Sequence, residues 1–175
     1  MTASRQRQAY EETVAAWRAA GELGDAEAAA RCLSADVELI SPLTAQFRFH
    51  GPDEIREMLT AAFEVIEDIR FHTAVGEGDT RALFYHARAG GERVEEAQLL
   101  RLDRDGHIRE ITLFGRPLPA LTAVLAGIGP RLLRRQSRPA LARVVSLASA
   151  PLARLTRLGD RRLVPLGDPR RGRRS

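Results

Sequence analysis

The chain contains no lysine and no asparagine in 175 residues, and all 27 of its basic residues are arginine. That reads as coding bias rather than chemistry. One cysteine, Cys32, excludes a disulfide within the chain and any cysteine-based zinc site. The four histidines are scattered without ligand spacing, so neither a metal nor a cofactor is expected. Aromatics are only 5% of the chain, which leaves the core to aliphatic and alanine packing. No run reaches the ~18 apolar residues of a membrane span. The start, MTASRQRQAYEE, lacks the apolar segment of a secretory leader, and a cytoplasmic location is the expectation. No glycine-rich phosphate loop or nucleophile elbow is present.

What is there divides sharply by charge. Residues 1–130 hold 14 Arg and 21 acids, a net of −7. Residues 131–175 hold 13 Arg against Asp160 and Asp168, a net of +11. An acidic domain carries a basic tail, and the overall net of +4 describes neither.

The period of the apolar residues gives the domain its class. Tyr10, Val14, Trp17 and Gly21 share one face of a helix that Gly21 and Gly24 end. Asp25 is a natural N-cap for a second helix, 26–33, with Glu27 at its positive end. Residues 36–41 read as a strand stopped by Pro42. Gly51-Pro52-Asp53-Glu54 is a helix start, followed by the stripe Ile55, Met58, Leu59, Ala62, Phe63, Ile66. From there the period is two. Residues 70–75, 81–89, 93–102 and 107–115 predict four strands joined by short turns, an antiparallel meander. The class is α+β, a curved antiparallel sheet wrapped over three helices. The domain spans 1–116, and an Arg-rich helical tail spans 117–175.

The order of these elements resembles the NTF2-like superfamily, in its SnoaL-like and ketosteroid-isomerase-like branch. The residues that carry the resemblance are Trp17 with Gly24-Asp25, Leu33-Ser34-Ala35-Asp36-Val37 and Phe49-His50-Gly51-Pro52 with Ile55-Arg56. The Asp105-Gly106-His107-Ile108 turn and the Leu113-Phe114-Gly115 ending complete it, over about residues 8–116. The resemblance implies a cone enclosing a pocket, and a homodimer. It also implies three catalytic positions of the isomerases: a tyrosine on the first helix, a carboxylate base after the first strand and a protonated Asp in the meander. Here they fall on Trp17, Ser41 and Gln98. Serine is no general base near neutral pH unaided, so the steroid isomerase reaction is not expected. A pocket that takes a polar group stays open, because Trp17 and Gln98 still offer hydrogen bonds, and the ligand expected in it is a small, mostly hydrophobic molecule.

Strand alternation extends the list. Gln98 shares a face with Glu96, Leu100 and Leu102. With Phe114 closing the pocket as its family counterpart does, Thr112 and Glu110 share its face. The ligand-binding set is therefore Trp17, Ser41, Gln98, Leu100, Thr112 and Phe114. A glutamate in an apolar pocket would be an acid–base group, whereas one at a solvated mouth or strand edge would not. For both Glu96 and Glu110 the mouth or strand-edge reading is the expectation, with Glu110 kept as the acid–base candidate. His86 and His72, on neighbouring strands, are the other acid–base candidates, against a plain surface role. Asp103 and Asp105 belong to a turn that favours Asp for backbone reasons. The function is then a SnoaL-like binding protein without the isomerase residues. The alternative is a cyclase, isomerase or hydrolase acting on a polyketide or steroid-like compound.

In the tail, Leu121, Val124, Leu125 and Ile128 form a short apolar helix face expected to end at Gly129-Pro130. A second helix is expected from Pro139, kinked or split at Pro151. On it Arg143, Arg154, Arg157 and Arg161 fall within about 60° of one another. Leu141, Val144, Val145, Ala148, Leu152 and Leu155 lie opposite. The expectation is that Leu141, Val145, Leu152 and Leu155 are buried against something: protein, or an anionic membrane surface at the inner face of the membrane. Nucleic acid ranks last, with no aromatic residues between the arginines and an acidic domain behind them. The last residues are expected to be disordered.

Overall fold

A computed structural model describes residues 3–169, so the arginine-rich end from 170 onward lies outside the described residues. The chain begins with α1 (Ala3–Leu23) and α2 (Ala26–Ala30), followed by β1 (Leu33–Ile40) and a two-residue β2 (Phe49–His50). Then come α3 (Gly51–Phe63) and the meander β3 (Ile66–Val75), β4 (Thr80–Ala89), β5 (Glu92–Leu102) and β6 (Ile108–Arg116). Two long helices close the chain, α4 (Leu118–Arg135) and α5 (Pro139–Arg162), with one tight helical turn at Val164–Gly167.

Local chemistry accounts for the boundaries. The Asp25 carboxylate accepts from the Ala28 backbone N–H at 2.9 Å, capping α2. At α3, Pro52 fills the first turn and Glu54 accepts from the His50 N–H at 2.9 Å. The six strands form one curved sheet in the order β2-β1-β6-β5-β4-β3. The meander is antiparallel as expected. β1, however, runs parallel to β6, and β2 is a short antiparallel partner that the sequence pattern did not announce. The concave face packs on α1 and α3 around Val14, Trp17, Val37, Ile55, Leu83, Leu100 and Ile111.

The tail differs from expectation in three respects. α4 runs through Pro130, which is buried, to Arg135. α5 is helical over the expected span and is not split at Pro151, through which it runs as one helix. The face α5 turns toward the protein is its small-residue face, with Ala142 and Ser149 buried, while Leu141, Leu152 and Leu155 stay exposed and Val145 is half-buried. Small side chains let two helix backbones approach, and the Thr122 and Thr156 hydroxyls meet at 2.6 Å across this seam. A leucine face would hold the helices further apart. α4 itself seats closely on the cone: a Cβ added at Gly127 would lie 2.5 Å from Val65 Cγ1. Ion pairs of Glu64 with Arg131 (3.2 Å) and Arg135 pin its far end to the exit of α3.

Candidate functional site

Between the concave sheet, α1, α3 and α4 lies a cavity of about 430 Å³. Its walls are almost wholly apolar. Leu39, Met58, Phe63, Phe71 and Leu113 come from the cone, and Leu121, Val124, Leu125, Ile128 and Leu132 of α4 form a roof. Strand alternation aims Tyr85 of β4 and Glu96 and Gln98 of β5 into this space.

These polar groups form a single chain. The Trp17 indole N–H donates to Gln98 Oε1 at 2.9 Å. Indole can only donate, so the Gln98 carbonyl must face it, leaving the amide NH₂ for Glu96 Oε1 at 3.3 Å. Tyr85 stands directly across the strand pair from Glu96, close enough for its phenol to act on the same carboxyl. Burial among apolar walls disfavours the carboxylate and pushes Glu96 up to about 7, against the weaker pull of the Tyr85 and Gln98 hydrogen bonds. Tyr85 is raised well above its ordinary value, first by burial and then by the adjacent Glu96 charge. Tyr85 and Glu96 are the only ionisable residues lining the cavity among the described residues.

The residues singled out from sequence separate into two groups. Trp17, Ser41 and Gln98 line the cavity. Leu100 shares the Gln98 face but lies fully buried in the core behind the wall. Thr112, Phe114 and Glu110 are on the other face of the sheet. Phe114 is 55% exposed and pairs with Ala97, while its neighbour Leu113 pairs with Gln98 and faces inward. The expected phase of β6 was therefore off by one residue. Adjacent Leu113 and Phe114 are both apolar, so alternation alone could not choose between them. Glu110 instead meets Arg101 on the outer face at 3.5 Å. His72 and His86 also face outward, their rings stacked at 4.3 Å, with His86 Nδ1 4.0 Å from Glu95. Ser41 accepts from the Leu43 backbone N–H at 3.2 Å, a turn contact. Among the described residues no group of three or more His, Cys, Asp or Glu could hold a metal ion.

The family model of the SnoaL-like domain matches residues 12–111. The chain belongs to the SnoaL-like family. No curated protein matches it. Among solved structures, this SnoaL-like chain is similar to a steroid delta-isomerase from Pseudomonas aeruginosa. The two are 25% identical with a TM-score of 0.63 over 74% of this chain and 92% of that one. An uncharacterised protein with a cystatin-like fold from Silicibacter pomeroyi is 22% identical, with a TM-score of 0.67 over 76% and 93%. A putative SnoaL-like polyketide cyclase from Shewanella denitrificans is 15% identical, with a TM-score of 0.52 over 61% and 90%. At such identities the last two show the fold alone.

Two features of the SnoaL-like cavity escaped the sequence. One is the roof: the apolar face of α4 was legible, but not that it closes the cone. The other is the weight of Glu96. Its phase with Gln98 was legible, but not that the wall it joins is otherwise apolar, with Glu96 half-buried in it. The arrangement can hold a compact apolar molecule and present to its one polar end a carboxyl that gains or loses a proton near neutrality, beside a phenol and an amide.

Proposed function

We propose that the cavity binds a small, mostly apolar carbonyl compound and that Glu96 moves a proton on it. As carboxylate, Glu96 takes a proton from the carbon next to the carbonyl. The C–H pair becomes the enolate double bond and the carbonyl π pair moves to oxygen. The Tyr85 hydroxyl and the Gln98 NH₂, which stand beside Glu96 in the unliganded cavity, are the donors available to that oxygen. Glu96, now the acid, returns the proton to the same carbon or to a conjugated one. The observation that carries this reading is the placement of a single carboxyl, bonded by the Gln98 amide and facing Tyr85 across the strand pair, on the wall of a largely apolar cavity. The similar steroid delta-isomerase and polyketide cyclase are named for chemistry on ring compounds, which suits a space of this size.

A second reading follows from the polar chain itself. The Gln98 carbonyl is taken by Trp17, and Ser41 accepts a bond within a turn, so the polar groups left to a ligand are Glu96, Tyr85, the Gln98 NH₂ and the Ser41 O–H. A pure binding protein would use the neutral Glu96 carboxyl as a hydrogen-bond donor to the ligand. One experiment separates the two. A panel of ketones with one to four rings, including 1-decalone and 5-androstene-3,17-dione, is incubated with the protein in D₂O, and exchange at the α-carbon is followed by NMR. The enzyme reading expects exchange that falls at least ~100-fold in Glu96→Gln with ligand affinity nearly kept. Binding by both proteins with no exchange in either gives the cavity to the binding reading.

A further inference from the structure

α5 presents three faces, and one is left largely exposed by the described residues. At 3.6 residues per turn, Ala142, Val145, Ser149, Ala153 and Thr156 form the seam on α4. Next to it runs a stripe about 140° wide of Leu141, Val144, Leu147, Leu152, Leu155 and Leu158, each between 44% and 77% exposed. Beyond α5 the stripe continues into Leu163, Val164 and Leu166, also exposed. Along its far edge stand Arg143, Arg154, Arg157 and Arg161. A soluble surface rarely leaves so long an apolar row in water.

The charges say what covers it. Arg157 and Arg161 are answered by Glu92, at 2.5 and 3.3 Å, and Arg131 and Arg135 by Glu64. The side chains of Arg134, Arg138, Arg143, Arg154 and Arg162 form no ion pair among the described residues. Asp160 and Asp168 are the only acids after residue 130, and four more arginines lie at 170, 171, 173 and 174 in the sequence. The stripe is therefore edged by Arg143 and Arg154, which no acid among the described residues answers, and followed in the sequence by a run of arginines. A second copy of α5 paired about a two-fold axis would bring the same unanswered arginines to the contact. A leucine ridge without aromatic or acidic residues, with long arginine stems beside it, needs a surface that accepts any apolar relief and supplies negative charge.

We propose that the leucine stripe of α5 seats in the interface of an anionic lipid bilayer, with the arginine edge on the lipid phosphates. No helix among the described residues is long and apolar enough to cross a membrane, so the contact is one of lying on the surface. No residue of α5 lines the cavity and α4 packs between them, so docking leaves the cavity roof one helix layer from the lipid contact. That suits a ligand drawn from the bilayer.

The test is co-sedimentation of the full chain with extruded vesicles, either phosphatidylcholine alone or with about 30% phosphatidylglycerol. Binding is expected to the anionic vesicles and not the neutral ones, falling at least about tenfold between about 50 and 500 mM NaCl. The paired change Leu147→Ser with Leu155→Ser should abolish it, and Arg143→Gln with Arg154→Gln should weaken it about tenfold. All four positions are exposed, and circular dichroism melting should show each variant as stable as the parent. Failure of the parent chain to bind anionic vesicles overturns the proposal. So does binding that both paired variants retain. If the leucine variant instead turns a dimer into a monomer by light scattering while the parent ignores vesicles, the stripe belongs to a second copy. None of these outcomes depends on whether Glu96 is catalytic.

Discussion

Glu95 and Glu96 are neighbours on β5, yet the protein moves them in opposite directions. Glu95 points out of the sheet, where the Arg116 guanidinium bonded to it holds its carboxyl below the usual range. Glu96 points into the cavity, where burial holds its proton to about 7. One residue of strand phase decides which of two identical side chains becomes a solvated ion and which an acid–base group. The same division separates Leu113 from Phe114 on β6. The lesson is that in this sheet chemistry belongs to the face, not to the residue type.

The comparison can be broken at its strongest point first. Glu96→Gln should lower any proton-transfer activity at least ~100-fold, whereas Glu95→Gln should leave it within about twofold. Equal losses in NMR-monitored exchange would mean that the face does not matter.

pH offers a second handle, with opposite signs. Glu96 is raised in the folded state, so between about pH 4.5 and 7 the unfolded chain has released a proton that the folded one keeps. Stability should fall with rising pH across that window, by at most about 3 kcal/mol. Glu95 is lowered, so its contribution is present above pH 4.5 and is lost as pH falls. Urea titrations at a series of pH values on the parent and Glu96→Gln should differ in slope over the 4.5–7 window and nowhere else.

Next comes the chain that supports Glu96. Gln98→Leu strands the buried Trp17 indole N–H and should cost about 2 kcal/mol. Trp17 is the sole tryptophan, so its fluorescence reports both the unfolding midpoint and the change in its surroundings. A smaller loss is expected where the roof meets the cone. Gly127→Ala gains about 1 kcal/mol of helix propensity. It also drives a methyl against Val65, and the net should be destabilising by about 1 kcal/mol in thermal melts. Smallest of all is the outer-face change Phe114→Ser, within about 0.5 kcal/mol for the isolated chain. A loss of several kcal/mol there would mean that Phe114 is covered in solution.

The sequence by itself determined a good deal. The caps at Asp25 and Pro52, the switch of apolar period after α3 and the turn residues were enough for the order of the helices and longer strands, because these signals act within a few residues of their effect. The cone followed from the resemblance of that order to the SnoaL-like family, and Ile66, counted with the helix stripe, opens β3 instead. The shared phase of Glu96, Gln98 and Leu100 followed from alternation alone. What alternation could not supply was the phase of β6, where Leu113 and Phe114 are equally apolar and pairing with Gln98 makes the choice. Nor could it show that β1 joins β6 in parallel, since that pairing spans some seventy residues. The tail misled for a related reason. Its leucines marked the apolar face correctly, but helix–helix approach rewards small side chains, so the seam formed on Ala142, Ser149 and Thr156 and left the leucines outside. Only the tertiary structure decided that α4 roofs the cavity, and that Glu96, half-buried on its apolar wall, has no cation beside it as Glu95 has in Arg116.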